Sequence, residues 1–384
     1  MQEAPQSRAP RIEIIDGLRG YAILAVIFGH IYIAPLRATN LMSIPLLGLR
    51  VTPYTLITNG WQAVTLFFIL SGFVLALPYA TGERRFSGSE DWLCFVGKRI
   101  RRLLPLLLFN TLFLLTFLRI DPAPRDTVKH LFFMTTFLFP FSSTLHIPPF
   151  NAPLWYLGTE FWLSIALPFF ILCARRYGWT LLLLASIIFY FCSFSLFPEA
   201  WQWNLTAPNW GIGRLMMHLK DMLAGAALAY AFAQRKQVRA VLWIMVGILF
   251  LAYSFFLSDL ILLKLISGRT VLIANLLTTI GFSLLLFGLL VRPSRVIRMI
   301  VANWPLQLLG MMSYSLYVWH LPPMGILHAS ATPVRLVRYL FLVFVTSFLS
   351  YRFIEFGHVK DWRSLLPRRH RSAGSQEQLQ TENW

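Results

Sequence analysis

Ten stretches of this chain are long and apolar enough to cross a lipid bilayer, and that limits the fold more than anything else in the sequence. A membrane-spanning helix needs about 20 mostly apolar residues. Runs of that kind fall at 17–35, 59–80, 103–120, 153–174, 178–197, 212–233, 238–258, 270–291, 304–325 and 333–356. Composition agrees. Apolar residues make up 57% of the 384 and charged residues only 13%, where a soluble domain carries about 25% charge. The sequence therefore predicts an all-α membrane protein, a polytopic bundle of about ten transmembrane helices. The stretch 130–148 is also apolar, but proline breaks it and polar residues bound it. It is expected to be an interfacial or re-entrant segment, with an eleventh span as the alternative.

Charge sets the orientation. The formal net charge is +18. In a multi-pass membrane protein an excess of Lys and Arg marks the cytoplasmic loops before it suggests nucleic acid, and no nucleic-acid partner is expected. If residues 1–16 lie inside, the inner segments hold Arg8, Arg11, Arg84, Arg85, Lys98, Arg99, Arg101, Arg102, Arg175, Arg176, Arg235, Lys236, Arg239, Arg292, Arg295, Arg298 and the basic tail. That is about two-thirds of all Lys and Arg, so both termini are expected to be cytoplasmic. The domain division is 1–358 in the membrane and 359–384 as a short polar cytoplasmic tail. Cys94, Cys173 and Cys192 form no disulfide or metal pattern and fit buried apolar positions.

Function in such a bundle is carried by polar groups at depths where lipid penalises them. The first run, Asp16-Gly-Leu-Arg-Gly through His30, holds Arg19 at its mouth and His30 deep inside. Eleven residues on a helix bring them back to one face, about 16 Å apart along the axis. Ser71-Gly72 lies mid-span and also suits simple helix packing. Arg99 and Arg102, three apart, offer two guanidinium forks suited to a pyrophosphate or 3′-phosphate, or else a contact with anionic lipid. Glu160, the eighth residue of its run, is either a functional carboxylate or half of a buried ion pair. Arg214, His218, Asp221 and Gly225 repeat at helical spacing, as a polar cavity wall or as internal charge compensation. Tyr314, Tyr317 and His320 close the ninth run, where belt residues are common. Glu355 ends the tenth, near Arg352 and the basic loops.

Serine-hydrolase elbows, zinc signatures and Walker A loops are absent from the sequence. A buried imidazole, a carboxylate and a basic pair suit acyl transfer from a CoA thioester to an alcohol. The imidazole takes the hydroxyl proton and the arginines hold the donor's phosphates.

Six landmarks in order resemble the acyltransferase-3 family of integral membrane acyltransferases. Arg19 with His30 is similar to its basic-x10-His motif. Phe67-Phe-Ile-Leu-Ser71-Gly-Phe73 resembles its Phe-Phe-x-x-Ser-Gly-Phe. Arg99-Ile-Arg-Arg102 before Pro105 resembles its Arg-x-x-Arg, and Leu154-Trp-Tyr-Leu-Gly-Thr-Glu160 its Leu-Trp-aromatic-Leu-x-x-Glu. Ser313-Tyr-Ser-Leu-Tyr317-Val-Trp-His320 resembles its Ser-Tyr-x-x-Tyr-x-x-His, and Ile354-Glu355 its late Ile-Glu.

The resemblance implies an enzyme, usually of a bacterial inner membrane. It would use cytoplasmic acetyl-CoA or another acyl-CoA as donor substrate and hold no permanent cofactor or metal. Implied acceptors are hydroxyls of surface or lipid-linked glycans, or of small molecules such as macrolides. His30 would be catalytic, as general base or transient acyl carrier. Glu160 would orient it or bind acceptor. Arg19, Arg99 and Arg102 would serve the donor. Ser71, Arg214, Asp221, Tyr317 and His320 would support substrate. Two positions depart from the pattern. Thr65 stands where an Asp often precedes the Phe-Phe, and Glu355-Phe-Gly replaces a Glu-Arg-Pro ending. Because the chain stops soon after the tenth run, members with an added extracytoplasmic hydrolase-like domain are not expected as close analogues. A transporter or flippase using the charges of the sixth run, and a non-catalytic sensor or scaffold, are the rival classes.

Overall fold

The computed structural model describes residues 12–38, 44–46, 49–51, 54–86, 88–117, 124–198, 210–234, 239–327, 332–359 and 362–367. Both chain ends, with Arg8, Arg11 and most of the 359–384 tail, lie outside the described residues, as do Arg235 and Lys236. Helices dominate: α1 (Glu13–Ala38), α2 (Thr55–Thr58), α3 (Ala63–Ala80), α4 (Ser89–Phe117), α5 (Pro124–Thr135), α6 (Trp155–Tyr177), α7 (Trp179–Leu196), α8 (Trp210–Ala233), α9 (Ala240–Leu262), α10 (Val271–Val291), α11 (Arg295–Val301), α12 (Trp304–Met311), α13 (Ser313–Trp319), α14 (Leu321–Leu327) and α15 (Pro333–Ser350). The last continues as a π-helical turn over Tyr351–Glu355. Two three-residue strands, β1 (Ile44–Leu46) and β2 (Leu49–Val51), pair antiparallel with Ile44 opposite Val51.

Eight of these helical segments are long and apolar enough to cross a membrane, and the protein is a polytopic all-α membrane protein. The other two expected spans differ for physical reasons. Helix α8 is 24 residues long but carries Arg214, Lys220 and Asp221 in its middle turns. The ninth run is not one helix. Asn303 caps α12, its side chain accepting from the Leu306 N–H, and the path breaks at Met312 and at His320 into three short helices. Non-helical backbone at this depth is tolerated where it is buried in protein or lines a cavity. The 130–148 stretch does not span either. Helix α5 has 12 residues, about 18 Å at 1.5 Å per residue, too short for the roughly 30 Å core. The chain then turns inward, where Phe137 stacks on Phe161 at 4.1 Å and its carbonyl accepts from the Trp162 indole N–H at 2.7 Å.

One continuous core joins α1, α3, α4, α6, α8 and the broken ninth segment. Lipid tails give helices no hydrophobic reason to associate, so close backbone approach carries the packing. A Cβ on Gly72 of α3 would stand 2.0 Å from the Met222 carbonyl oxygen of α8, and one on Gly225 of α8 would stand 2.0 Å from that of Ile69. A Cβ on Gly310 of α12 would stand 1.6 Å from the Asp16 carbonyl oxygen of α1, and one on Gly17 of α1 would stand 1.6 Å from the Val301 carbonyl oxygen at the end of α11. Helices α7, α9 and α15 lie outside and turn residues such as Ile188, Ile248 and Phe341 outward, as a lipid-facing shell requires. Asp259 ties α9 to the entry of α3. Its carboxylate accepts from the Thr58 hydroxyl at 2.7 Å and from the Asn59 amide at 2.9 Å.

The glycine contacts predict where the bundle is intolerant. Gly72→Leu should lower stability by about 1–3 kcal/mol or more through overpacking, while Gly88→Ala, with open space around it, should be silent. Thermal unfolding of the purified variants in detergent checks this. Equal midpoints for the two would refute the packing account.

Candidate functional site

Two cavities inside the bundle share one lining residue, Tyr317. The first opens at the end where α1 and α4 begin. Arg19 reaches it from α1, Ser71 from α3, Arg99 and Arg102 from α4, Tyr156 and Glu160 from α6, and Tyr314 and Tyr317 from α13. Helix α4 explains the arginine pair. It starts at Ser89, well before the apolar run, and its 29 residues span about 43 Å. Its basic first half is therefore already helical, with Arg99 and Arg102 on one face.

Each arginine has one carboxylate. Arg19 Nη1 lies 3.9 Å from Asp16 Oδ1. Arg99 Nη2 pairs with Glu160 Oε1, and its Nε donates to Ser164 Oγ at 3.2 Å. Arg102 Nη2 lies 4.0 Å from Glu355 Oε1, and the Ser315 hydroxyl donates to Glu355 Oε2 at 3.2 Å. Glu160 is thus half of an ion pair on the arginine side, and the expectation that it orients His30 is corrected: its hydrogen-bond partner is Arg99. A carboxylate at this depth is drawn to the nearest guanidinium, because an uncompensated buried charge costs several kcal/mol. Glu355 pairs with Arg102 of the basic run. The Arg352 guanidinium donates instead to the Phe356 carbonyl at 3.4 Å. Arg102 keeps half its side-chain surface open, and one carboxylate does not saturate the five donors of a guanidinium. The cavity can therefore take an anion.

The second cavity holds His30, Thr65, Trp155, Trp210, Arg214, His218 and Tyr317. At about 230 Å³ it has room for several waters at roughly 30 Å³ each. His30 is well inside α1 yet exposed, because its ring projects into this space. Its Nδ1 lies 2.9 Å from the Val26 carbonyl oxygen. A carbonyl only accepts, so Nδ1 carries the proton and a neutral ring keeps its lone pair on Nε2. Thr65, at the position where the family resemblance leads one to expect Asp, lines the same space.

His320 is fully buried, not a membrane-belt residue. Its ring centre is 5.0 Å from that of His30, and its Nδ1 donates to the Tyr317 carbonyl at 2.8 Å. The Tyr339 hydroxyl donates to the His320 carbonyl at 2.8 Å and holds the break against α15.

Tyr317 lines both cavities. With Tyr156 at 5.1 Å and Phe67 at 6.3 Å between ring centres it forms an aromatic neck. Its hydroxyl donates to the Pro153 carbonyl at 3.0 Å. Asn151 sets the neck's height: its amide donates to Asn110 Oδ1 at 3.0 Å and to the Val318 carbonyl at 2.8 Å, joining α4, the start of α6 and α13.

The face of α8 is split. Arg214 and His218 belong to the cavity wall, and Arg214 lies over the Trp210 ring at 4.4 Å. Asp221 does not reach the cavity, which corrects its expected place in the wall. It accepts from Lys220 Nζ at 2.6 Å and from the Thr279 hydroxyl at 2.6 Å. Sequence reasoning passed over Tyr156, Trp155 and Trp210 as ordinary aromatics. Only Trp155-Tyr156 beside the Glu160 motif offered a signal for them.

The family model described as "Acyltransferase domain" matches residues 12–354. The chain is 24% identical over 377 residues to "Peptidoglycan O-acetyltransferase OatA" of Listeria monocytogenes, covering 89% of this chain and 54% of that protein. It is also 24% identical to "Putative peptidoglycan O-acetyltransferase YrhL" of Bacillus subtilis, at 89% and 54%, and to "O-acetyltransferase OatA" of Staphylococcus aureus, at 89% and 56%. The chain spans about half the length of these curated relatives. No solved structure matches it.

The Arg99–Glu160 pair yields a prediction separable from activity. Arg99→Ala strands a buried carboxylate and should cost about 3–5 kcal/mol of stability. The double variant Arg99→Met with Glu160→Met should recover most of it. Denaturation in detergent decides, and a double variant as unstable as the single would show that the pair is not closed to water.

Proposed function

The chain belongs to the Acyltransferase domain family, and from that membership we propose that it is a membrane-embedded O-acyltransferase. It moves an acyl group, most simply acetyl, from acyl-CoA to a hydroxyl of a cell-surface or lipid-linked glycan. The observation that carries this is that an arginine-lined cavity and the His30 cavity lie on either hand of one residue, Tyr317, which lines both. One presents three arginines, each with donors to spare. The other presents the accessible Nε2 side of His30. The arrangement suits a donor whose charged and reactive ends are far apart, with phosphates on Arg102, Arg99 and Arg19 and a slender arm passing the aromatic neck.

At the far end of that path the thioester carbonyl meets His30. The aromatic neck keeps water from running freely between the two spaces, and exclusion of water favours transfer to an acceptor over hydrolysis. The acceptor enters the second cavity, whose wall includes Trp155, Trp210, Arg214 and His218. Acetyl as the acyl group and a glycan as acceptor follow the relatives, whose printed names are peptidoglycan O-acetyltransferases. The distribution of Lys and Arg supports an arginine cavity that faces the cytoplasm, where acyl-CoA is held, and the family resemblance with the bacterial relatives supports the inner (cytoplasmic) membrane.

Purified protein in proteoliposomes should transfer acetyl from acetyl-CoA to a glycan acceptor. His30→Ala should lower that rate by about 10²-fold or more, as removal of a positioned imidazole does, and leave acetyl-CoA binding near the wild-type level. Arg102→Ala should instead weaken acetyl-CoA binding, and Arg19→Ala should weaken it more than His30→Ala does. Calorimetry and rate measurements on the same samples separate these effects. Full transfer by the His30→Ala protein would sink the proposal.

A further inference from the structure

The cavity that contains His30 contains a second imidazole, and that one is built differently. His218 Nδ1 lies 2.8 Å from Asp221 Oδ2. An ionised carboxylate only accepts, so the proton is on Nδ1 and the lone pair of the neutral ring is on Nε2. Asp221 is itself fixed, since its other oxygen accepts from Lys220 and Thr279. The ring has no freedom to turn. It stacks on Phe68 at 4.4 Å on one side and on Trp155 at 5.9 Å on the other. Nε2 is buried and has no hydrogen-bond partner among the described residues, although the residue lines the cavity. A buried acceptor without a donor is costly, and a hydroxyl is the group that would satisfy it.

We propose that His218 is a catalytic base for the acceptor and that Asp221 is its positioning residue, an inference that rests on the acyltransferase reading above. The acceptor hydroxyl donates to Nε2. Its oxygen forms a bond to the acyl carbonyl carbon as its proton passes to Nε2. The carbon–sulfur bond of the thioester breaks with its electron pair going to sulfur, and Nε2 returns the proton to that thiolate. The products are an ester and a thiol, and His218 ends neutral. Asp221 holds the ring in the required tautomer and stabilises the imidazolium formed on the way. His30, whose Nδ1 partner is a backbone carbonyl and not a carboxylate, faces the acyl group from α1. The two histidines thus divide the site into a donor side and an acceptor side.

The test uses the full chain in proteoliposomes with acetyl-CoA as donor and an N-acetylglucosamine tetramer as acceptor probe. His218→Gln should lower kcat for transfer by about 10²-fold or more, with the Kd for acetyl-CoA within about threefold of wild type. In His218→Gly, added imidazole should restore part of the rate, which a purely structural role for the ring would not allow. Asp221→Asn should lower kcat with little change in the KM for acetyl-CoA, and in combination with His218→Gln it should add nothing, because the pair acts as a unit. Wild-type rates in a folded His218→Gln protein, or a His218→Gly protein that imidazole cannot rescue, would overturn the dyad alone. A wild-type protein that binds acetyl-CoA but forms no ester would overturn the acyltransferase reading and the dyad with it.

Discussion

Arginine cannot be left alone inside a membrane bundle, and the pairing of three arginines with three carboxylates is the constraint from which the rest of this site follows. Asp16, Glu160 and Glu355 come from α1, α6 and the end of α15, and each faces a different guanidinium. Those pairs bring α4 and α6 together and hold the last turn of α15 against α4. They leave a cavity whose wall is charged but locally compensated. Such a wall can exist without a ligand and still offer donors to one. Had each arginine been saturated, the cavity would be only a structural ion cluster.

The second requirement is a seam between a polar chamber and a reacting chamber. The broken ninth segment supplies it. Tyr317 of α13 lines both chambers, and His320 one turn on packs beside His30. Pro322 has no N–H for the Val318 carbonyl four residues before it, and side chains take up the freed groups: the Asn151 amide donates to the Val318 carbonyl and the Tyr339 hydroxyl to that of His320. Fold and site are thus one problem: the irregular backbone that makes the chamber is held by the side chains around it.

Much of this was legible in the sequence. Eight of the ten expected spans were, since a run of about 20 apolar residues has few other uses. Helical periodicity also puts Arg19 and His30 on one face of α1, and in the structure Arg19 lines the first cavity and His30 the second. Partners were not legible. Glu160 and Arg99 are 61 residues apart, and no local pattern tells a carboxylate which helix it will meet. The depth of His320 was misjudged because the ninth run reads as continuous. Pro322 and Pro323 just after His320 are the signal for the break there, whereas no proline stands near the break at Met312. The face of α8 was visible by its 3.6-residue period, but which members face a cavity and which face Lys220 and Thr279 depends on how α8 is rotated against α3. That rotation is set by Gly72 and Gly225.

The central claim is that one ligand reaches from the arginines past the Tyr156–Tyr317 neck to His30. A structure of the protein with a non-hydrolysable acyl-CoA analogue tests it most directly. The account predicts phosphates against Arg99 and Arg102 and the acyl carbonyl within hydrogen-bond reach of His30, with Tyr317 beside the arm between them. An analogue bound with its phosphates in the His30 chamber, or wholly outside the arginine cavity, would contradict it.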